Sequence, residues 1–195
     1  MTPEEFKIIW TKNGDEISPI NHVQLKELKL TKSTFDFLTI SGLPEEASPF
    51  LTFAKDSGDE YEKIRLLTQQ YDFLESEFDK FIVIGSDGNG DVIAVNTKEN
   101  DQIEWLDHED YFSSRFMNSS IIQLADFLKI YRDFNEIILT ENGEDAVMNC
   151  NFTDKQFETL KQNMMKADPK AIESGFWNEE LEMLLGNREY YRNEN

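Results

Sequence analysis

The chain has one cysteine, Cys150, in 195 residues. A lone thiol excludes an internal disulfide framework and any zinc site that needs two thiolates, and it fits a reducing compartment. Histidine is almost as scarce, with only His22 and His108. Positive charge is short too: 19 Lys and Arg stand against 39 Asp and Glu, a formal charge of −20. Such a surface repels phosphate backbones and anionic lipid, so neither nucleic acid nor membrane is an expected partner. A basic partner is favoured, although acidity that serves only solubility would look the same. No run approaches the roughly 20 apolar residues of a membrane span. Residues 1–13 also lack the basic start and apolar stretch of a secretory signal, so the expected location is cytoplasmic. The sequons Asn118-Ser119-Ser120 and Asn151-Phe152-Thr153 are then expected to stay unmodified.

What is present is apolar mass. Hydrophobic residues make up 39% of the chain and aromatics 12%, with 15 Phe and 3 Trp, which excludes a disordered acidic tail and suits one domain of ordinary size. The first forty residues read as helical or mixed, with Phe6, Ile9 and Trp10 on one face, Leu25, Leu28 and Leu30 on another, and a turn at Asn13-Gly14-Asp15. Gly42-Leu43-Pro44 reads as a loop entering a helix or turn, and residues 50–54 as a short strand. Residues 78–84, 91–96 and 102–106 predict an antiparallel meander, because β-branched and aromatic runs alternate with breaks rich in Gly, Asn and Asp. Its connections are residues 86–90 and 98–101. Ser120 with Gln123, and Thr153 with Gln156, predict two capped helices carrying Leu124, Phe127, Leu128 and Tyr131, then Phe157, Leu160 and Met164. The second is expected to stop near Asp168-Pro169. A short helix over 177–185, closed by Gly186-Asn187, leaves a frayed tail over 188–195. There is no internal repeat and no linker.

Several chemistries begin in this sequence and then fail. Asp87, Asn89 and Asp91 have the one-three-five spacing of a calcium loop, but the sixth position is Val92 rather than Gly and the twelfth is Lys98 rather than Glu. Hairpin-turn chemistry, with Asp and Asn bonded to their own backbone, explains the same residues. Gly85, Gly88 and Gly90 stand in the wrong order for a dinucleotide fingerprint and lack the Lys of a phosphate loop. His108-Glu109 opens like a zinc-protease helix, yet the residue four on from His108 is Phe112. There is no serine nucleophile elbow, and nothing marks Cys150 as reactive. No catalytic residue, metal or cofactor is expected. Trp105 reads as packed in its strand, and as a binding anchor only if exposed.

The order of these segments resembles the SUKH superfamily of bacterial immunity proteins and relatives of a yeast glucan-synthesis regulator. The likeness rests on Gly42-Leu43-Pro44 with Phe50-Leu51, on Phe81-Ile82-Val83-Ile84-Gly85-Ser86-Asp87-Gly88-Asn89-Gly90-Asp91, and on residues 92–95. Further on, residues 103–107 with His108-Glu109, and then Phe116-Met117-Asn118-Ser119-Ser120 leading to Phe127-Leu128, look most like its fourth subgroup. The resemblance spans about residues 28–131. It implies an α+β fold, a twisted and mainly antiparallel sheet with packed helices, in a single SUKH-like domain. Residues 132–195 are expected to form a helical extension on the same core.

The resemblance also implies a non-enzymatic protein that binds and neutralises a polymorphic toxin, often a nuclease or nucleic-acid deaminase. The toxin domain is then the partner, and the candidate contacts are Asp87, Asn89, Asp91, Glu99, Asp101, Trp105, Asp107, Glu109 and Asp110. Two alternatives remain beside it: a regulatory scaffold that binds host proteins, as the yeast relatives suggest, and a hydrolase using carboxylates and a metal.

Overall fold

In residues 92–96 every side chain is buried, which a strand achieves only when both faces of its sheet are covered. That strand is the centre of the fold. The computed structural model describes residues 1–12, 14–56, 62–173 and 175–194. Along the chain come α1 (Pro3–Thr11), β1 (Ile17–Ser18), α2 (His22–Leu25), α3 (Lys32–Ile40), β2 (Leu43–Pro44), β3 (Glu46–Ala47), β4 (Leu51–Phe53), β5 (Arg65–Leu66), α4 (Leu67–Gln70) and a 3-10 turn at Ser76–Lys80. Then follow β6 (Phe81–Ser86), β7 (Val92–Asn96), β8 (Gln102–Asp107), β9 (Ser113–Asn118), α5 (Ile121–Asn142), α6 (Asp154–Ala167), α7 (Pro169–Glu173) and α8 (Phe176–Glu194).

The main sheet runs β3-β4-β6-β7-β8-β9, with β5 also pairing to β6, and every pairing is antiparallel. The fold is thus α+β with a mainly antiparallel sheet, as expected. Period-two alternation sends Ile82, Ile84, Ile93, Val95 and Ile103 to one face, where they join buried side chains of α1, α3, α5, α6, α7 and α8. Phe81, Val83, Val92, Ala94 and Leu106 go to the other, under Leu67, Leu74 and Phe112. Each fully buried apolar side chain contributes roughly 1.5–3 kcal/mol, so both clusters are large relative to net stability.

The helices start where the side chains allow. Thr2 and Glu5 form a reciprocal capping box ahead of Pro3, Ser120 caps α5, and Thr153 with Gln156 boxes α6, each cap satisfying amide groups that the first turn leaves free.

The structure corrects several expectations. Leu28 and Leu30 precede a helix instead of lining one; α3 begins after them and buries Phe37 and Leu38. Leu43–Pro44 is a strand pairing with β1. Gly42 precedes it at φ +71°, and a Cβ there would lie 1.9 Å from the Ser18 carbonyl oxygen, so only glycine fits the approach. Residues 76–80 form a 3-10 turn, and the first meander strand starts at Phe81. A further strand, β9, carries Ser113, Ser114 and Arg115 and so shows no apolar alternation. Gly186 does not end the last helix, and the tail is not frayed as far as Glu194. Beyond Gly186 the helix is held by Arg188 and Arg192, which donate to the Phe152 carbonyl, and by an Arg188–Asp154 ion pair at 2.8 Å.

Candidate partner-binding site

Antiparallel order places alternate turns at the same end of a sheet. The β6–β7 turn and the β8–β9 turn therefore share one end, and the β7–β8 turn lies at the other. In the first, Asp87 organises the chain: Oδ1 accepts from the amides of Asn89 (2.9 Å) and Asp91 (3.0 Å), and Oδ2 accepts from Trp105 Nε1 (2.9 Å). This is the local Asx chemistry expected of a hairpin turn. Asp91 then links the two turns. Its Oδ1 accepts the His108 amide at 2.9 Å and faces His108 Nδ1 at 2.7 Å. That hydrogen bond raises the His108 pKa against an opposing loss of solvation, with help from the charges of Asp91, Glu109 and Asp107. Asp107 Oδ1 in turn accepts from the amides of Glu109 and Asp110.

The nine residues singled out from the sequence thus divide. Asp87, Asn89, Asp91, Trp105, Asp107, Glu109 and Asp110 come together at one end, whereas Glu99 and Asp101 sit at the other. Asp91 and Asp101 are the two of the nine carboxyl-bearing or polar candidates that are held inside the chain. Asp91 is only 6% exposed and spent on His108; Asp101 is 1% exposed and accepts the Thr31 amide at 2.6 Å, tying its turn to the start of α3. Both have the charge of surface residues in sequence and the task of turn and cap builders in space. Trp105 is half-buried, with Arg115 stacked over it at 5.2 Å and Phe176 at 6.4 Å. Arg115 is itself held by both carboxylate oxygens of Glu179. Trp105 is therefore a packed residue at the rim, while Asn89, Glu109 and Asp110 are exposed.

Sequence reasoning missed the aromatic part of this end. Phe50 is 83% exposed, Phe73 64% and Tyr111 57%. Phe50 follows β3 and stands against the β6–β7 turn: a Cβ on Gly88 would be 3.2 Å from that of Phe50. The reason β4 runs so close to β6 is Gly85, where a Cβ would meet the Thr52 carbonyl oxygen at 2.4 Å. Tyr111 lies in the β8–β9 turn with its ring 5.6 Å from Phe78, and Phe73 is 6.4 Å from Phe112, the buried residue of that same turn. Pattern reading assigns such rings to the core, and the only local signal was their acidic flanks, as in Asp72-Phe73 and Asp110-Tyr111.

Elsewhere, a cavity of about 440 Å³ lies between the α5–α6 connection and α8, lined in part by Asp145, Cys150 and Arg192. Burial, and next the charge of Glu180, push the Cys150 thiol up, away from a reactive thiolate. Among the described residues no group of three His, Cys, Asp or Glu could hold a metal ion, and no helix is long and apolar enough to cross a membrane.

A family model described as SUKH-4 immunity protein matches residues 14–183. That span contains the whole sheet, both acidic turns and most of the C-terminal helices, so it reaches well beyond residue 131. No curated protein and no solved structure matches the chain. By its sequence from residue 14 to 183, the chain belongs to the SUKH-4 immunity protein family.

Proposed function

We propose that this chain is a non-enzymatic, cytoplasmic immunity protein that neutralises a polymorphic toxin by binding it, and that the toxin domain is a basic nuclease or nucleic-acid deaminase. Membership of an immunity-protein family supports a protein partner. The observation that carries the choice of toxin is charge: a net −20, with Asp87, Asp107, Glu109 and Asp110 drawn to one end of the sheet. A domain that acts on nucleic acid needs a basic surface to hold the phosphates, and an acidic protein that covers that surface denies it substrate. Complementary charge also speeds encounter, so protection would be fast as well as tight.

The test is co-expression with a toxin domain found at the C-terminus of a large protein encoded beside this gene. The toxin domain alone is expected to stop growth with degradation or base conversion of cellular nucleic acid, and this chain is expected to restore growth. Arrest that persists with the chain present, at matched expression, would overturn the proposal.

A further inference from the structure

We propose that Phe50, Phe73 and Tyr111 form the anchoring surface of this protein, and that its occupant is a basic protein domain whose Lys and Arg side chains stack on these rings. The inference rests on the immunity reading and adds to it the surface used.

Single exposed apolar residues are ordinary and need no explanation. These three differ in being gathered. Phe50 touches the β6–β7 turn at Gly88, and Gly90 of that turn lies beside the His108 ring, with 4.0 Å from a Cβ on Gly90 to the ring carbon. His108 and Tyr111 belong to one turn, whose Phe112 packs beneath Tyr71 and Phe73 at 4.6 and 6.4 Å. The segments that carry Phe50 and Tyr111 are therefore linked through the β6–β7 turn at one end of the sheet, and Phe73 packs on the second of them through Phe112. Phe50 and Tyr111 also hold φ of 61° and 49°, a left-handed backbone that bulky side chains rarely adopt. Phe50, 83% exposed, does not repay that conformation by burial within the chain, and Tyr111 does so only through its edge contact with Phe78.

Charge selects the occupant. The segments that carry or contact the rings, residues 48–53, 71–79, 86–91 and 107–112, hold nine carboxylates and no Lys or Arg, in a chain that has 19 basic residues in all. Nucleic acid and anionic lipid are repelled by such a surface. A neutral apolar surface would leave the carboxylates beside the rings desolvated without partners. A basic domain satisfies both, since guanidinium groups stack on aromatic faces and pair with Asp72, Glu109 and Asp110 around them. Aromatic anchors within a ring of polar groups are where binding free energy concentrates.

The experiment measures, by calorimetry, the affinity of the full chain for the neighbouring toxin domain, with variants Phe50→Ala, Tyr111→Ala and their double, and with Ile8→Ala as control. Ile8 is 70% exposed on α1, outside the segments that carry or contact the rings. Each single variant is expected to weaken binding about tenfold to thirtyfold and the double at least about a hundredfold, with urea midpoints unchanged and the control binding like the parent. If the parent binds and the double binds equally well, the surface is wrong and the immunity reading stands. If the parent does not bind, the immunity reading itself fails. Loss of affinity in Ile8→Ala but not in the ring variants would place the anchors on α1.

Discussion

Replacing Trp177 with alanine is expected to destabilise the protein by about 3–5 kcal/mol, the range for truncating a large buried aromatic. Trp177 is fully buried near the start of α8. Its ring contacts Phe127 and Tyr131 of α5 at 5.2 and 6.3 Å and Phe176 at 5.1 Å. Its Nε1 donates to Asn118 Oδ1 at 2.8 Å, so the truncation also leaves a buried acceptor at the end of β9 without its donor. Asn118 lies where three elements meet, because the adjacent Ser119 donates through its amide and its hydroxyl to Asp168, the residue that ends α6. Against a usual net stability of about 5–15 kcal/mol, this single change would bring the chain near unfolding. Trp177→Phe, which keeps most of the packing and loses the hydrogen bond, is expected to cost about half as much. Urea unfolding of the two variants checks both values. A loss below about 1 kcal/mol in Trp177→Ala would mean that α8 is an accessory to the core.

A second large effect is expected from Glu180→Gln, and its sign depends on pH. Glu180 is buried on α8, where Tyr131 donates to Oε1 at 2.9 Å. Burial pushes its carboxyl up to about 7, and the Tyr131 hydrogen bond pulls partly back. Cys150 and Tyr131 share this pocket, and the Tyr131 hydroxyl is raised well above its ordinary range by burial and by the charge of Glu180. Between an ordinary glutamate value of about 4.3 and about 7, the folded chain holds a proton that the unfolded chain releases. The folded pKa is raised, so the stabilisation is full below the unfolded value. It is lost as pH climbs through the folded one, and no more is lost above that. The loss is on the order of 3 kcal/mol across the window. Glutamine keeps the shape and the acceptor without the charge. Glu180→Gln should therefore match the parent near pH 4, fall progressively less than it above that, and exceed it most at pH 8, flattening the pH dependence of the urea midpoint. Equal midpoints at pH 8 would mean that Glu180 is solvated in the folded chain.

What could be foreseen from the residues was what depends on local signals. The meander announced itself through β-branched and aromatic runs set between breaks rich in Gly, Asn and Asp, and α5 and α6 through Ser120 and the Thr153–Gln156 box, because strand segments and helix caps are decided within a few residues. β9 was not legible, since Ser113, Ser114 and Arg115 earn their place only by pairing with β8 and by the Arg115–Glu179 bridge to α8. The course of α8 through Gly186 was hidden for the same reason: a glycine in open space ends a helix unless distant contacts hold the following turn, and here those are Arg188 and Arg192 on Phe152. At the candidate site, the acidic turns were visible but their geometry was not. Sequence spacing does not reveal that turns at 86–91 and 107–112 share an end while 98–101 lies opposite, or that Asp91 and Asp101 point inward. Exposed rings are the hardest case, because Phe50 in sequence is indistinguishable from a core phenylalanine.

The central claim is that an acidic, aromatic-anchored surface binds a basic toxin domain in a defined ratio. Calorimetry between the full chain and the neighbouring toxin domain, at low and at near-molar salt, tests it most directly. One-to-one binding is expected, nanomolar or tighter at low salt and weakened at high salt by about tenfold or more as screening shortens the reach of the charges. Some affinity is expected to persist there, carried by the rings. Tight binding with no dependence on salt would contradict the charge argument, and no binding at either salt would contradict the function.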